Sequence, residues 1–197
     1  QKSKFEIAAL MSSTGDKIAF GWHLVVGVTT TYFLWWSLFA SPWFEPENLF
    51  QLTNMTQAVL VYYYFWTLKH DYNNISCPTP KDQRYPNGAY STFQILLPLA
   101  CLVTVGYWQV RLKDESLMVT EDTKSNPLIL PIFNHGINAV LCIIESFSFK
   151  QKVVKGFLWK AGFFLLATVV YVSLQFGFQA VTGKYVYPFL ETFTLQQ

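Results

Sequence analysis

Five long stretches of the chain carry no acidic or basic side chain, and this feature restricts the possible folds more than any other. Each stretch is about 20 residues or longer, which is the length that an α-helix needs to cross the hydrocarbon core of a bilayer. A single small soluble domain has no room to bury five such helices. The pattern therefore predicts transmembrane helices over residues 18–40, 49–68, 91–110, 128–147 and 161–180.

The composition agrees with a membrane protein and argues against other classes. Of the 197 residues 52% are hydrophobic and 13% are charged, about half the charged share of a soluble domain. Intrinsic disorder is excluded, because it requires low hydrophobicity and high net charge. The net charge of +2 and the scattered basic residues argue against a nucleic-acid partner. The three cysteines lack the spacing of a disulfide scaffold or a metal site, so we expect no metal and no cofactor.

The connecting segments, residues 70–90, 111–126 and 148–160, contain the charges and turn residues. We find no internal repeat, so residues 1–197 are predicted to form one all-α domain, a polytopic membrane bundle of five transmembrane helices. Most lysines and arginines lie before the first helix and in the second and fourth loops. The positive-inside rule then places the N-terminus in the cytoplasm, or in the matrix if the membrane is mitochondrial. We expect no cleavable signal peptide, since the first 17 residues are polar.

Polar residues fall in lines along the predicted helices, and such residues in a membrane normally face protein or a cavity. In the first and fifth helices, packing between helices explains them. The fourth helix is different, because its polar residues are numerous and costly in hydrocarbon. Its stripe consists of Asn134, His135, Asn138, Cys142 and Glu145, and the second helix carries Thr53, Thr56 and Gln57 on one face.

Thr53 and His135 are predicted to lie at similar depths below the outer surface, about 8 Å and 11 Å respectively. A threonine hydroxyl becomes a nucleophile when a neutral imidazole takes its proton, so the pair is typical of a hydrolase that acts on a lipid. Asn134, Asn138 or a helix-end N–H group would orient the imidazole or stabilise an oxyanion. A structural pairing of His135 with an asparagine or glutamate is the open alternative.

The other ionisable residues of the helices are interpreted as structural. Glu145 is expected to reach interfacial water or to pair with Lys150 or Lys152. His23 has fewer polar neighbours than His135, and His70 is expected in a loop, so both are read as non-catalytic. The lack of an evident intramembrane charge pair argues against a transporter or channel.

Three sequence features resemble the androgen-induced-protein family, which includes the androgen-dependent TFPI-regulating protein. They are the Asn134-His135-Gly136 motif, the Thr-Gly-x-x-Val-Tyr-Pro-Phe-Leu-Glu segment that ends at Glu191, and the Leu52-Thr53-Asn54 tripeptide. The family consists of integral-membrane threonine hydrolases. The resemblance covers about residues 50–191.

The resemblance implies hydrolysis of fatty acid esters of hydroxy fatty acids, with Thr53 as the nucleophile and His135 as the base. The residues expected to line the substrate pocket are Asn134, Asn138, Tyr187, Pro188 and Phe189. The expected partners are membrane lipids and a lipid ester, in the endoplasmic reticulum or plasma membrane, alternatively the mitochondrial inner membrane. The family has six membrane helices and this chain has five predicted ones. A non-catalytic accessory subunit of a larger membrane complex therefore stays open as a second reading.

Overall fold

The computed structural model of the chain describes residues 3–39, 47–76, 85–113, 129–148 and 156–187, and these residues form helices with no strand among them. The helices are α1 (Ser3–Phe39), α2 (Glu47–Phe50), α3 (Leu52–Ser76), α4 (Asn87–Lys113), α5 (Ile129–Ile132), a π-helix (Phe133–Ile137), α6 (Asn138–Ser148) and α7 (Phe157–Thr182). The segments α5, π-helix and α6 follow one another without a break and act as one span.

Four of these helical segments are long and apolar enough to cross a membrane. They are Thr14–Phe39, Asn87–Lys113, Ile129–Ser148 and Leu158–Thr182. All four agree with the predicted spans to within about four residues at each end. The predicted span at 49–68 corresponds to α3, which is helical but more polar than the other four, so five membrane crossings are not established. The chain is a multi-pass, all-helical integral membrane protein.

The second helix extends further than the sequence pattern predicts. Residues 70–76 were expected in a loop, yet α3 continues through them to Ser76, and His70 lies on this helix. The physical reason is that Asp71 is fully buried against His23 of α1, so a charged residue is accommodated inside the helical part of the chain. The sequence pattern placed the end of the helix before Asp71 because this residue is charged. The pattern does not show that His23 is its buried partner.

The imidazole of His23 lies between two buried carboxylates, and we call this group the inner cluster. His23 Nδ1 contacts Asp71 Oδ2, and His23 Nε2 lies 2.9 Å from Glu145 Oε1. Three further donors bond to the carboxylates: Trp22 Nε1 to Glu145, Tyr63 OH to Glu145, and Tyr85 OH to Asp71, over 2.6, 2.9 and 2.6 Å.

The inner cluster corrects two predictions. Glu145 does not reach interfacial water but is fully buried inside the bundle. His23 pairs with the buried carboxylates of Asp71 and Glu145, so the predicted lack of a pair of ionisable side chains inside the bundle is wrong and does not count against a transporter or channel. Both errors have one cause, since the partners of Glu145 come from α1 and α3, far away in sequence.

Small, polar and aromatic residues form the contacts between neighbouring helices. α1 lies along α3, where Gly27 permits a close approach: a Cβ there would be 3.3 Å from the Cβ of Tyr64. α3 packs on α4 through an aromatic core that includes Tyr63 and Phe93, and α4 packs on α6. α7 is largely exposed and apolar, as expected for a helix that faces lipid chains.

Replacing Glu145 with leucine is expected to destabilise the protein strongly. The change leaves the His23 ring and the Trp22 and Tyr63 donors without their buried acceptor, a loss that typically costs about 3–5 kcal/mol. The melting temperature in detergent can be followed with a dye that reacts with the buried thiol of Cys142. Ser148→Ala, on the exposed end of the same helix, is the control. Equal melting temperatures for the two variants would show that the inner cluster does not stabilise the fold.

Candidate active site

Thr53 and His135 are in contact. Thr53 lies in the first turn of α3, His135 lies in the π-helix, and Thr53 Oγ1 is 3.2 Å from His135 Nδ1. This separation is within the range over which a hydroxyl hydrogen-bonds to a base. Thr53 is buried and His135 is half-buried. Within the described ranges no carboxylate is hydrogen-bonded to the His135 ring, and we call Thr53 and His135 the dyad.

The π-helix explains how two successive residues both reach α3. Its hydrogen bonds span one residue more than those of an α-helix, and the Asn138 N–H bonds back to the Phe133 carbonyl in this way. His135 contacts Thr53, while the Asn134 side chain contacts Gln57 one turn further along α3. The His135 carbonyl accepts a hydrogen bond of 2.9 Å from the indole N–H of Trp108. Short π-helical segments are frequent at functional sites.

The His135 ring is held by an aromatic residue of α4 that the sequence reading missed. The Tyr107 ring stacks on the imidazole at a centroid distance of 3.5 Å and an interplanar angle of 3°. Arg111, one turn further along α4, donates from Nη1 to the Tyr107 hydroxyl over 3.0 Å. The adjacent pair Tyr107-Trp108 at the end of a predicted span could have indicated this contact. Such a pair is equally typical of the aromatic belt at the membrane surface.

Beneath the dyad, three amide side chains form a second polar layer. Gln57 Nε2 donates to Asn134 Oδ1 over 2.7 Å, and Asn138 Nδ2 contacts the Asn134 carbonyl at 3.5 Å. All three residues are buried. Asn134 and Asn138 therefore lie next to the dyad, although neither is hydrogen-bonded to the His135 ring in the described part of the chain.

The segment after α7 also reaches the start of α3. The Tyr187 hydroxyl accepts a hydrogen bond of 2.8 Å from the Leu52 N–H, and Tyr171 OH lies 3.3 Å from it. Gln175 Nε2 donates to the Phe50 carbonyl over 2.7 Å. Tyr187 is thus next to Thr53 in space. The predicted pocket residues Pro188 and Phe189 lie outside the described residues.

Thr56, one turn from Thr53, uses its hydroxyl within its own helix. Its hydroxyl donates to the Leu52 carbonyl of its own helix over 2.7 Å. His23 and Glu145 belong to the inner cluster and are separated from the dyad along the helices. Among the residues that the structure describes, no group of three histidine, cysteine or acidic side chains is arranged to hold a metal ion.

The fold and this buried polar site define a helical, multi-pass membrane protein with a hydroxyl–imidazole pair inside the bundle. A sequence profile of the FAR-17a/AIG1-like proteins matches residues 88–197, which is more than half of the chain. The chain therefore belongs to this family, the androgen-induced protein family, and the resemblance inferred from its motifs is confirmed. His135 and Tyr187 lie within the matched range, and Thr53 precedes it. No curated protein and no solved structure gives a significant match to the chain.

Replacing Tyr107 with leucine is expected to expose the His135 ring to chemical modification. The stacked tyrosine covers one face of the imidazole, and without it diethyl pyrocarbonate should modify His135 several times faster, as measured by peptide mass spectrometry. Tyr62→Leu is the control, because Tyr62 is exposed on the lipid-facing side of α3. His23, enclosed in the inner cluster, should stay unmodified in both variants. Equal His135 rates in the two variants would contradict the stacking.

Proposed function

We propose that the protein is a membrane-embedded hydrolase that cleaves fatty acid esters of hydroxy fatty acids, with Thr53 as the nucleophile and His135 as the base. The observation that carries this proposal is the 3.2 Å contact between Thr53 Oγ1 and His135 Nδ1 within a buried site of a chain that belongs to the androgen-induced protein family. The contact joins a weak nucleophile to a group able to take its proton.

The first half of the reaction transfers an acyl group to the threonine. Thr53 Oγ attacks the ester carbonyl carbon while its proton passes to His135 Nδ1. The tetrahedral intermediate then breaks its bond to the hydroxy fatty acid oxygen, and His135 gives its proton to that leaving group. The products of this half are a free hydroxy fatty acid and an acyl ester on Thr53.

The position of Thr53 also supplies a means of stabilising the oxyanion. Thr53 lies in the first turn of α3, where the helix dipole is positive, and of the N–H groups of this turn those of Leu52 and Met55 are already bonded, to Tyr187 OH and to the Gln51 carbonyl. An oxygen that becomes negative beside Thr53 would be stabilised by this dipole in a site of low dielectric constant. Tyr187 holds this end of α3 through its bond to the Leu52 N–H, so we assign it a positioning role and a place in the pocket wall.

The position of Arg111 favours a substrate that carries a free carboxylate. A hydroxy fatty acid ester retains one carboxylate besides the ester, and Arg111 lies at the end of the bundle that contains the dyad, with its guanidinium carbon 5.9 Å from the centre of the Tyr107 ring. Arginine pairs well with carboxylates through parallel hydrogen bonds. The same charge would not help with an ester that has no acid group.

The topology that fits this function has five membrane crossings, with α3 as a polar crossing helix between α1 and α4. Its buried polar side chains contact protein, so lipid does not meet them. The lysine and arginine pattern supports an N-terminus in the cytoplasm or matrix, with the dyad near the opposite surface. The proposed location is the endoplasmic reticulum or plasma membrane, alternatively the mitochondrial inner membrane.

Thr53→Val and His135→Ala are each expected to reduce turnover of a hydroxy fatty acid ester by about 100-fold or more, because each removes one member of the proton-transferring pair. Thr56→Val is a matched control, since it makes the same change one turn away, at a hydroxyl that bonds its own helix. Turnover by purified protein in lipid nanodiscs measures the effect. Unchanged rates in Thr53→Val or His135→Ala would reject the assignment. No activity in any form, together with co-purification of other membrane subunits, would favour the accessory-subunit reading.

Arg111→Gln is expected to raise the KM for the free-acid ester about tenfold and to leave the KM for the corresponding methyl ester unchanged. The loss corresponds to one charged hydrogen bond to the substrate. Lys113→Gln removes the same charge from an exposed residue at the same end of α4. A parallel rise in KM for both esters in Arg111→Gln, or an equal effect in Lys113→Gln, would count against carboxylate recognition by Arg111.

A further inference from the structure

Two buried oxygen atoms next to the dyad lack a hydrogen-bond donor among the described residues. Gln57 Oε1 belongs to a side chain with no exposed area, and Asn138 Oδ1 to one that is 5% exposed. Gln57 follows Thr53 by one turn on the same face of α3, and Asn138 follows His135 by about one turn of its own helix. A buried acceptor that stays unpaired costs about 1–3 kcal/mol. The two oxygens therefore point to a ligand that donates hydrogens.

Both amides are anchored by the same neighbour. Gln57 Nε2 donates to Asn134 Oδ1, and Asn138 Nδ2 is directed at the Asn134 carbonyl. The orientation of Asn138 is fixed by chemistry, because a backbone carbonyl only accepts and so must face the amide nitrogen. The nitrogen ends are used against Asn134, and the oxygen ends of both side chains remain for the ligand. Asn134 thereby orients both side chains, because each amide nitrogen is directed at one of its oxygens.

We propose that Gln57 and Asn138, held by Asn134, bind the water molecule that hydrolyses the acyl-Thr53 intermediate. This inference rests on the proposed function. Water fits because it is the smallest ligand with two hydrogens to donate, one to Gln57 Oε1 and one to Asn138 Oδ1, and buried waters usually bind where protein polar groups lack partners. Its oxygen lone pairs then face the acyl group. A hydrolytic site inside a lipid bilayer needs side chains that bind water, since water is scarce there.

The second half of the reaction balances with this water and the dyad alone. The water turns one of its two hydrogens from an amide oxygen to His135 Nδ1. Its oxygen then forms a bond to the acyl carbonyl carbon, and that proton passes to His135 Nδ1. The tetrahedral intermediate breaks the bond between that carbon and Thr53 Oγ, and His135 returns the proton to the threonine. The fatty acid leaves with the water oxygen in its carboxyl group, and Thr53 and His135 regain their starting states.

The test separates acylation from deacylation with p-nitrophenyl dodecanoate as the probe. In Gln57→Leu and Asn138→Leu the threonine should still be acylated, so the burst of p-nitrophenol persists. The steady-state rate should fall about tenfold or more, and the dodecanoyl adduct should accumulate in the intact mass spectrum. Asn138→Asp keeps an acceptor oxygen and, when protonated, a donor for the Asn134 carbonyl. It should deacylate faster than Asn138→Leu.

Thr30→Val is the matched control. The Thr30 hydroxyl is another buried oxygen without a partner in the described ranges, but it belongs to α1, which supplies neither residue of the dyad, so its loss should leave burst and steady state unchanged. The two leucine variants test the water site separately, and a melting curve identifies either one that fails to fold.

Different failures have different meanings. Wild-type steady-state rates in the folded leucine variants would overturn the water site and leave Thr53 as the nucleophile. Loss of the burst together with turnover, in a variant that melts like the wild type, would also overturn it, because the residue would then serve acylation. Turnover by the wild type without any acyl adduct on Thr53 would overturn the proposed function itself.

Discussion

The buried contact of His23 with Asp71 and Glu145 sets the relative heights of α1, α3 and α6, and the rest of the site depends on those heights. Tyr63 of α3 bonds to Glu145 of α6. Nearer the N-terminal ends of the same helices, Thr53 of α3 contacts His135 of the π-helix that continues into α6. The number of residues from Thr53 to Tyr63 equals the number from His135 to Glu145, so the two helices run parallel and in register over about 15 Å. Two polar contacts at matched spacing fix this alignment, which apolar packing alone would leave free to slide.

Polar groups inside the membrane bundle are satisfied largely by one another. The column that runs from the dyad through the amide layer to the inner cluster follows one face of α3 and one face of the π-helix and α6. Within this column the inner cluster has donors for its carboxylate oxygens, whereas the amide layer leaves acceptor oxygens without a donor from the part of the chain that the structure describes. This difference in hydrogen bonding distinguishes the inner cluster, which we interpret as structural, from the amide layer, on which the proposed water site rests.

The sequence predicted the elements and the polar faces well. Four spans were located to within about four residues, and the stripe from Asn134 to Glu145 is largely buried, because the cost of polar groups in hydrocarbon can be read from a single helix. The end of α3, the burial of Glu145 and the stacking of Tyr107 on His135 could not be predicted. Each depends on a partner from a distant helix, and the π-helix around His135 shifts the helical register in a way that a regular period does not show.

The central claim is that the Thr53 hydroxyl becomes covalently acylated by an ester substrate with the aid of His135. The most direct measurement is peptide mass spectrometry of the wild-type protein, quenched in acid during turnover of a hydroxy fatty acid ester. The account predicts an added acyl mass on the peptide that contains Thr53, with the site of attachment at that threonine, and no such mass in His135→Ala. An adduct on another side chain, or steady turnover with Thr53 unmodified throughout, would contradict it.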